Sequence, residues 1–282
     1  MAIIMKGMET ANAKKDEMIK RVKALEEKSI TPCLGIIRVG DKPEDLAYER
    51  GATKRLNSVG VETKVIKLPL AVTQDMLEAL LKELNEDEKV QGILIFQPLP
   101  EHLDLEQLKS MISPQKDVDG LSNENLGKVL TGDELGFAPC TPEGVLWMLD
   151  YYQIDLTGKD VTIVGRSSVV GKPLALLLTR RNATVTLCHT KTKNLAEKTK
   201  RADIIVACAG QKEMITEEMV KAGAVVVDVG INVNEEGKLC GDVAFAEVEK
   251  IATYISPVPG GVGSVTSSVL AEHVIKAAEA NS

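Results

Sequence analysis

Short apolar runs that read as buried strands alternate with helix-period segments along this chain, and that alternation restricts it to an α/β architecture. Residues 33–39 (Cys-Leu-Gly-Ile-Ile-Arg-Val) and 90–96 are such runs, the second stopped by Pro98 and Pro100. Residues 8–28, 44–59 and 74–85 carry apolar positions at helical spacing, the last opened by Thr73 as an N-cap, and 62–68 reads as extended. This βαβα order predicts a mostly parallel sheet with helices on both faces. The stretch 114–142 is loop-rich. After a helix over 143–152, a second series runs through strands at 161–164, 183–187, 204–207, 225–229 and 254–255 to a terminal helix at about 266–280. The pattern predicts two α/β domains with a boundary near residue 140.

Composition excludes several classes of function. The 282 residues are 44% apolar and carry a net charge of −7 without a long Lys/Arg cluster, which argues against nucleic-acid and anionic-membrane partners. No apolar stretch reaches the roughly 18–20 residues of a membrane span. The first residues lack the apolar core and cleavage site of a secretory signal, so a cytoplasmic protein is expected. The five cysteines, Cys33, Cys140, Cys188, Cys208 and Cys240, form neither a CxxC pair nor a Cys/His cluster at zinc spacing. They read as small buried thiols, and no metal is expected. His102, His189 and His273 are the only histidines.

Two glycine loops carry the strongest chemical signal. Gly165-Arg166-Ser167-Ser168-Val169-Val170-Gly171-Lys172-Pro173 follows a strand and opens a helical run, the context of a dinucleotide-binding turn. Its spacing is G-x-x-x-x-x-G rather than G-x-G-x-x-G, so the bare pattern also suits a structural turn. Arg166 and Ser167, with Thr190 and Lys191 after the next strand, suit a 2′-phosphate, and no Asp or Glu follows that strand to hold a ribose diol. NADP is preferred over NAD on these grounds. The second loop, Pro259-Gly260-Gly261-Val262-Gly263, packs three glycines into five residues between an apolar strand and a helix. It suits an anionic or planar ligand, a plain tight turn being the alternative.

These loops, in order with Lys116-Asp117-Val118-Asp119-Gly120, Pro139-Cys140-Thr141-Pro142 and Asp228-Val229-Gly230-Ile231, make the chain resemble the methylenetetrahydrofolate dehydrogenase/methenyltetrahydrofolate cyclohydrolase family across almost its whole length. The resemblance implies a folate-binding domain at 1–140, completed by 267–282, and a Rossmann-type NADP domain at 141–266. It also implies a homodimer and an active-site cleft between the domains. In that family a hydride passes from the methylene bridge of tetrahydrofolate to nicotinamide, and water then opens the methenyl cation to the formyl form. Carried onto this chain, the folate contacts are Tyr48, Gln97, Pro98, Leu99, Asp119, Pro259, Gly260, Gly261 and Thr266. The NADP contacts are Thr141, Gly165, Arg166, Ser167, Gly171, Pro173, Thr190, Lys191, Gly230 and Ile231.

The chain also departs from the family. A lysine belongs four residues after the cleft tyrosine, yet Tyr48 is followed at that spacing by Ala52. The strand-end glutamine that contacts this lysine is replaced by Phe96, with Gln97 beside it facing the other way in a regular strand. Ser264-Val265 stand where the family has Pro-Met. Lys54, six residues from Tyr48, lies about 240° round the helix, a solvated face unless the chemistry uses it. Tyr48, Asp119 and Lys54 are therefore the catalytic candidates, Arg50 being a poor proton carrier. The expectation is an active dehydrogenase with weak or absent cyclohydrolase. A dehydrogenase of another small metabolite and a non-catalytic folate or nucleotide sensor are the alternatives.

Overall fold

A computed structural model describes residues 1–133 and 135–281. The first elements in chain order are β1 (Ile3–Ile4), α1 (Gly7–Ala13), α2 (Lys15–Glu26), β2 (Cys33–Val39), α3 (Pro43–Asn57), β3 (Glu62–Leu68), α4 (Gln74–Glu86) and β4 (Gly92–Ile95). Three helices follow, α5 (Leu105–Met111), α6 (Asn123–Thr131) and α7 (Cys140–Tyr151). A second alternating series comprises β5 (Asp160–Val164), α8 (Gly171–Arg180), β6 (Thr184–Cys188), α9 (Leu195–Arg201), β7 (Ile204–Ala207) and β8 (Val225–Asp228). The chain closes through the hairpin β9 (Asn232–Val233) and β10 (Leu239–Cys240), then α10 (Phe245–Val248), β11 (Tyr254–Ile255) and α11 (Gly263–Ala280).

Two compact units divide the chain. One comprises Lys14–Cys140 and the C-terminal stretch from Ser267; the other comprises Met1–Ala13 and Thr141–Thr266. The first unit holds a parallel three-stranded sheet in the order β3-β2-β4. All seven residues of central β2 are buried, which is why it reads as an apolar run interrupted only by Arg38 rather than an alternating one. Helix α4 covers the sheet with Leu77, Leu81 and Leu84, and Thr73 caps it by accepting from the Met76 N–H at 3.3 Å. The loop-rich stretch 114–142 contains α6, which the sequence reading omits. Ser122 caps that helix by accepting from the Asn125 N–H, and Gly132 ends it at φ +80°.

The second unit holds six parallel strands in the order β1-β11-β8-β7-β5-β6. From β5 the chain passes first to β6 on one side and then to β7 on the other. The switch point of this doubly wound sheet therefore lies between β5 and β7, where such folds open a ligand crevice. The α/β class and Rossmann-type second domain expected from the sequence are what the chain forms.

The first thirteen residues differ from expectation: they belong to the second unit, not the first. Ile3 and Ile4 pair with Tyr254 and Ile255, and the Gly7 N–H donates to the Gly260 carbonyl at 2.8 Å. A two-residue strand carries no periodicity, so nothing in the sequence ties it to a partner 250 residues away. The helix read over 8–28 is likewise two helices, α1 and α2, parted at Lys14. Among the described residues no helix is long and apolar enough to cross a membrane.

Candidate active site

In the first unit, α3 presents Tyr48 and Ala52 on one face, four residues apart. One ion pair fixes the helix against β2, and a second holds the loop that precedes it. Arg38, 1% exposed, donates through Nε to Glu49 at 2.6 Å, and through Nη1 to Asp41 and the Gly40 carbonyl. A buried guanidinium needs such partners, and holding Glu49 sets the rotation of the turn that carries Tyr48. Tyr48 packs edge-to-face on Phe96, ring centroids 5.3 Å apart. Ala52 is 2% and Phe96 6% exposed, so both positions that depart from the family are buried and carry no titratable group. Tyr48 as a whole is 41% exposed, yet desolvation of its hydroxyl, then the nearby Asp119 and Cys140 charges, push the phenol above its ordinary range. Lys54, Gln97 and Pro98 are exposed, while Leu99 packs on the core of the unit. The structure does not bring Lys54 to Tyr48's neighbours.

The Lys116–Gly120 motif divides its labour residue by residue. The Lys116 ammonium donates to the Leu84 and Asp87 carbonyls at the end of α4. Asp117 builds the turn: it accepts from the Leu121 and Ser122 N–H groups and from Asn125 Nδ2, at 3.1, 2.8 and 2.9 Å. Gly120 sits at φ +65°, and a Cβ there would lie 2.5 Å from the Phe137 carbonyl oxygen. Asp119 is thereby released from turn-making and left half-buried. Desolvation, with Asp117 beside it, pushes its carboxyl up to about 6, against hydrogen bonds from the Cys140 thiol and N–H and the charge of His273, which pull it down.

In the second unit, the turn after β5 lies at the switch point. Gly165 has φ +132°, and a Cβ there would meet the Cys208 carbonyl oxygen at 2.2 Å; one on Gly171 would meet the Gly165 oxygen at 2.0 Å. The first turn of α8 is thus drawn onto the loop, with Gly171 and Pro173 buried. Ser167 closes the loop by accepting from the Val170 N–H at 3.0 Å. Arg166, Ser167, Thr190 and Lys191 are exposed around it. A cradle of backbone that excludes Cβ, at a helix N-terminus and flanked by cations without a carboxylate, fits a dinucleotide bearing an extra phosphate.

Gly165→Ala is expected to lower stability by about 3–5 kcal/mol, combining positive-φ strain with a backbone overlap that no rotamer relieves. It should also abolish the rise in Tm that NADP produces, which calorimetry with and without the nucleotide checks.

The Pro259 loop contributes to the same unit. Pro259, Gly260 and Gly261 line a cavity of about 200 Å³ with Gly230 and Ile231. A second cavity, of about 320 Å³, brings Thr141, Gly230 and Ile231 together with Thr266. Val170, Cys208 and Gly210 also line it, and the sequence reading assigned none of the three to a ligand. Burial raises the Cys208 thiol to about 12, leaving it a neutral apolar wall. Two acids are scaffolding: Asp228, read from the sequence only as part of its motif, and Asp242, which that reading omits. Asp242, fully buried, accepts from the Ala209, Gly210 and Gln211 N–H groups at 2.6, 2.9 and 2.8 Å and from Asn232. Asp228 accepts from the N–H groups of Gly230, Asp242 and Val243. Together they fix the loops after β7 and β8 that wall the cavity.

Comparison with known proteins agrees with this geometry. Residues 139–282 match the tetrahydrofolate dehydrogenase/cyclohydrolase NAD(P)-binding domain, and residues 5–119 the catalytic domain of that family. The bifunctional protein FolD of Clostridioides difficile is 50% identical over 274 residues, covering 97% of this chain and 96% of its own. The crystal structure of the Campylobacter jejuni bifunctional enzyme FolD, a methylenetetrahydrofolate dehydrogenase/cyclohydrolase, superposes with a TM-score of 0.97 at 42% identity, covering all of both chains. The Trypanosoma brucei FolD enzyme, solved with NADP cofactor and an inhibitor, superposes with a TM-score of 0.94 at 34% identity, covering 99% of this chain and 98% of its own. Loops, sheet order and sequence converge on one assignment: the chain belongs to the tetrahydrofolate dehydrogenase/cyclohydrolase family.

Proposed function

We propose that this protein oxidises 5,10-methylenetetrahydrofolate to 5,10-methenyltetrahydrofolate with NADP, and hydrolyses the methenyl product only slowly. The observation that carries the second half is the pair of buried apolar residues Ala52 and Phe96, the latter packed on Tyr48, where the family resemblance puts a lysine and a glutamine. Relatives named bifunctional perform both steps; this chain retains the features that serve the first and lacks those that serve the second.

Oxidation of the methylene bridge asks little of acid–base groups. It needs the reacting carbon held in place and water kept away, a matter of proximity. Bound NADP supplies the hydride acceptor. The Gly165–Gly171 turn, Ser167 and the N-terminus of α8 would hold its phosphates, with Arg166, Thr190 and Lys191 at the 2′-phosphate and Thr141, Gly230 and Ile231 along the cavity wall. Asp119 would accept from the polar N–H edge of the pterin, with Tyr48 against its ring and Gln97, Pro98 and Leu99 as the further folate contacts of that unit; Pro259, Gly260, Gly261 and Thr266 are folate contacts on the family resemblance. Ring opening instead requires a group that moves protons to and from the attacking water. Ala52 and Phe96 cannot do this, and Lys54 is exposed.

Cofactor choice is tested by steady-state kinetics with NADP and NAD. Arg166→Ala and Lys191→Ala are each expected to raise KM for NADP about tenfold, because each removes a charge-assisted hydrogen bond to phosphate from a solvated site. KM for NAD should stay unchanged; equal losses for both nucleotides would contradict the 2′-phosphate assignment. The family resemblance extends the proposal to a cytoplasmic homodimer, and sedimentation velocity checks the dimer.

A further inference from the structure

The turn after β6 is built around a histidine that the reaction outlined above leaves unused. The His189 carbonyl accepts from the Thr192 N–H at 2.8 Å, and Thr192 Oγ1 accepts from the His189 N–H at 2.8 Å. The backbone thus closes on itself across Thr190 and Lys191. The half-buried imidazole adds a bond inside that ring, Nδ1 accepting from the Lys191 N–H at 3.1 Å. A backbone N–H can only donate, so Nδ1 carries no hydrogen and the ring's hydrogen sits on Nε2. Lys191 is exposed, and its ammonium pairs with no carboxylate among the described residues. The Gly165 N–H donates to the Cys188 carbonyl at 3.0 Å, which sets this turn directly beside the glycine turn that carries Arg166 and Ser167.

We propose that His189 is a positioning residue for NADP that acts through Lys191: its imidazole anchors the Lys191 backbone so that the ammonium is presented to the 2′-phosphate. The inference rests on the reading that Arg166 and Lys191 meet that phosphate. A lysine at the tip of a loose turn samples many directions, and backbone freedom removed in the free protein is entropy that binding no longer has to remove. Thr192 fixes the ends of the turn; the imidazole fixes the residue between them. The choice of histidine also bears on which nucleotide is held. An aspartate at this position would accept the same N–H, as such side chains do in turns, but it would set a negative charge beside the phosphate and offer a ribose diol its acceptor. Imidazole accepts the bond without bringing that charge.

The test is steady-state kinetics of the full chain with NADP and with NAD at saturating 5,10-methylenetetrahydrofolate. His189→Ala is expected to raise KM for NADP about three- to tenfold, the loss of one hydrogen bond, with KM for NAD and kcat held. His189→Asn places a neutral amide oxygen where Nδ1 stands and should return KM for NADP to within about twofold of wild type. His189→Asp keeps the acceptor but adds the charge, and should raise KM for NADP at least about tenfold without raising KM for NAD. Both bonds to Thr192 use the His189 backbone, so they remain available in every variant. His189→Ala combined with Lys191→Ala should match Lys191→Ala alone, because the histidine acts through the lysine. Equal losses for the two nucleotides in His189→Ala, an asparagine variant no better than alanine, or a double variant whose loss is the product of the singles each overturns the inference. Lys191→Ala and Arg166→Ala separate the two levels. If they raise KM equally for NADP and NAD, the 2′-phosphate reading fails; if they raise it for NADP alone while His189→Ala leaves it unchanged, only the role of His189 fails.

Discussion

Asp119→Asn is expected to lower kcat/KM for 5,10-methylenetetrahydrofolate by about 10- to 100-fold while KM for NADP holds. A hydrogen bond to an ionised carboxylate contributes about 1.5–3 kcal/mol, and each 1.4 kcal/mol is tenfold. The fold makes this residue available for that work. Turn-building falls to Asp117, which accepts three hydrogen bonds, and Gly120 absorbs the close approach to the Phe137 carbonyl. The amide should therefore cost recognition rather than stability. Its pH signature follows from the sign of the shift. Burial raises the Asp119 carboxyl to about 6, so the ionised form dominates at pH 8, falls to half near pH 6 and to roughly a tenth near pH 5. The wild-type profile for the folate should fall tenfold per pH unit on the acid side of that midpoint. The asparagine variant, with no proton to take up, should be flat there.

The second large effect is a gain. Ala52→Lys combined with Phe96→Gln is expected to raise the rate of methenyltetrahydrofolate hydrolysis by about 10²–10⁴-fold, the range that a positioned proton-transfer group supplies. Helix geometry puts position 52 one turn from Tyr48 on the same face, so a lysine there reaches the phenol's surroundings, which Lys54 does not. Burial at 2% exposure would hold its ammonium below the usual lysine range, poised to take up and release a proton. Phe96→Gln opens the space and supplies a hydrogen-bond partner, at the loss of about 0.5–1.5 kcal/mol of edge-to-face contact with Tyr48. The single Ala52→Lys variant, left against the intact Phe96 ring, should gain far less and fold less stably, because its charge is buried without a partner. Stopped-flow decay of the methenyl absorbance on wild type, singles and double measures the coupling directly.

What was legible in the chain depends on whether a neighbour or a distant segment decides each residue's role. Buried parallel strands such as β2 and β7 stand out because both faces are covered, so that β7 is wholly apolar and β2 is apolar but for Arg38. Glycine loops stand out because Gly165 and Gly171 answer to backbone a few residues away, and no other residue fits. Helix α6 was hidden by its polar composition, although Ser122 and Gly132 marked its ends. Strand β1 and the β9–β10 hairpin were hidden by being two residues long. Within the site, one motif supplied both Asp117 and Asp119, and only hydrogen bonding shows which builds the turn and which is left for a ligand. Asp242 could not be read at all. It acts through N–H groups brought from more than thirty residues away. The replacements at Ala52 and Phe96 were visible as residues, but that the Phe96 ring packs on Tyr48 is a fact of the fold.

In the proposed function the two activities have parted company in this chain. One preparation of the purified protein decides it: the rate of NADPH formation from 5,10-methylenetetrahydrofolate, set against the enzyme-dependent decay of 5,10-methenyltetrahydrofolate without nucleotide, at equal enzyme and pH. Loss of a proton-transfer group removes about 10²–10⁴-fold from the hydrolytic step and leaves hydride transfer alone. The predicted result is ready NADPH formation with methenyl decay at least about 100-fold slower and close to the uncatalysed rate. Methenyl hydrolysis that keeps pace with NADPH formation would contradict it.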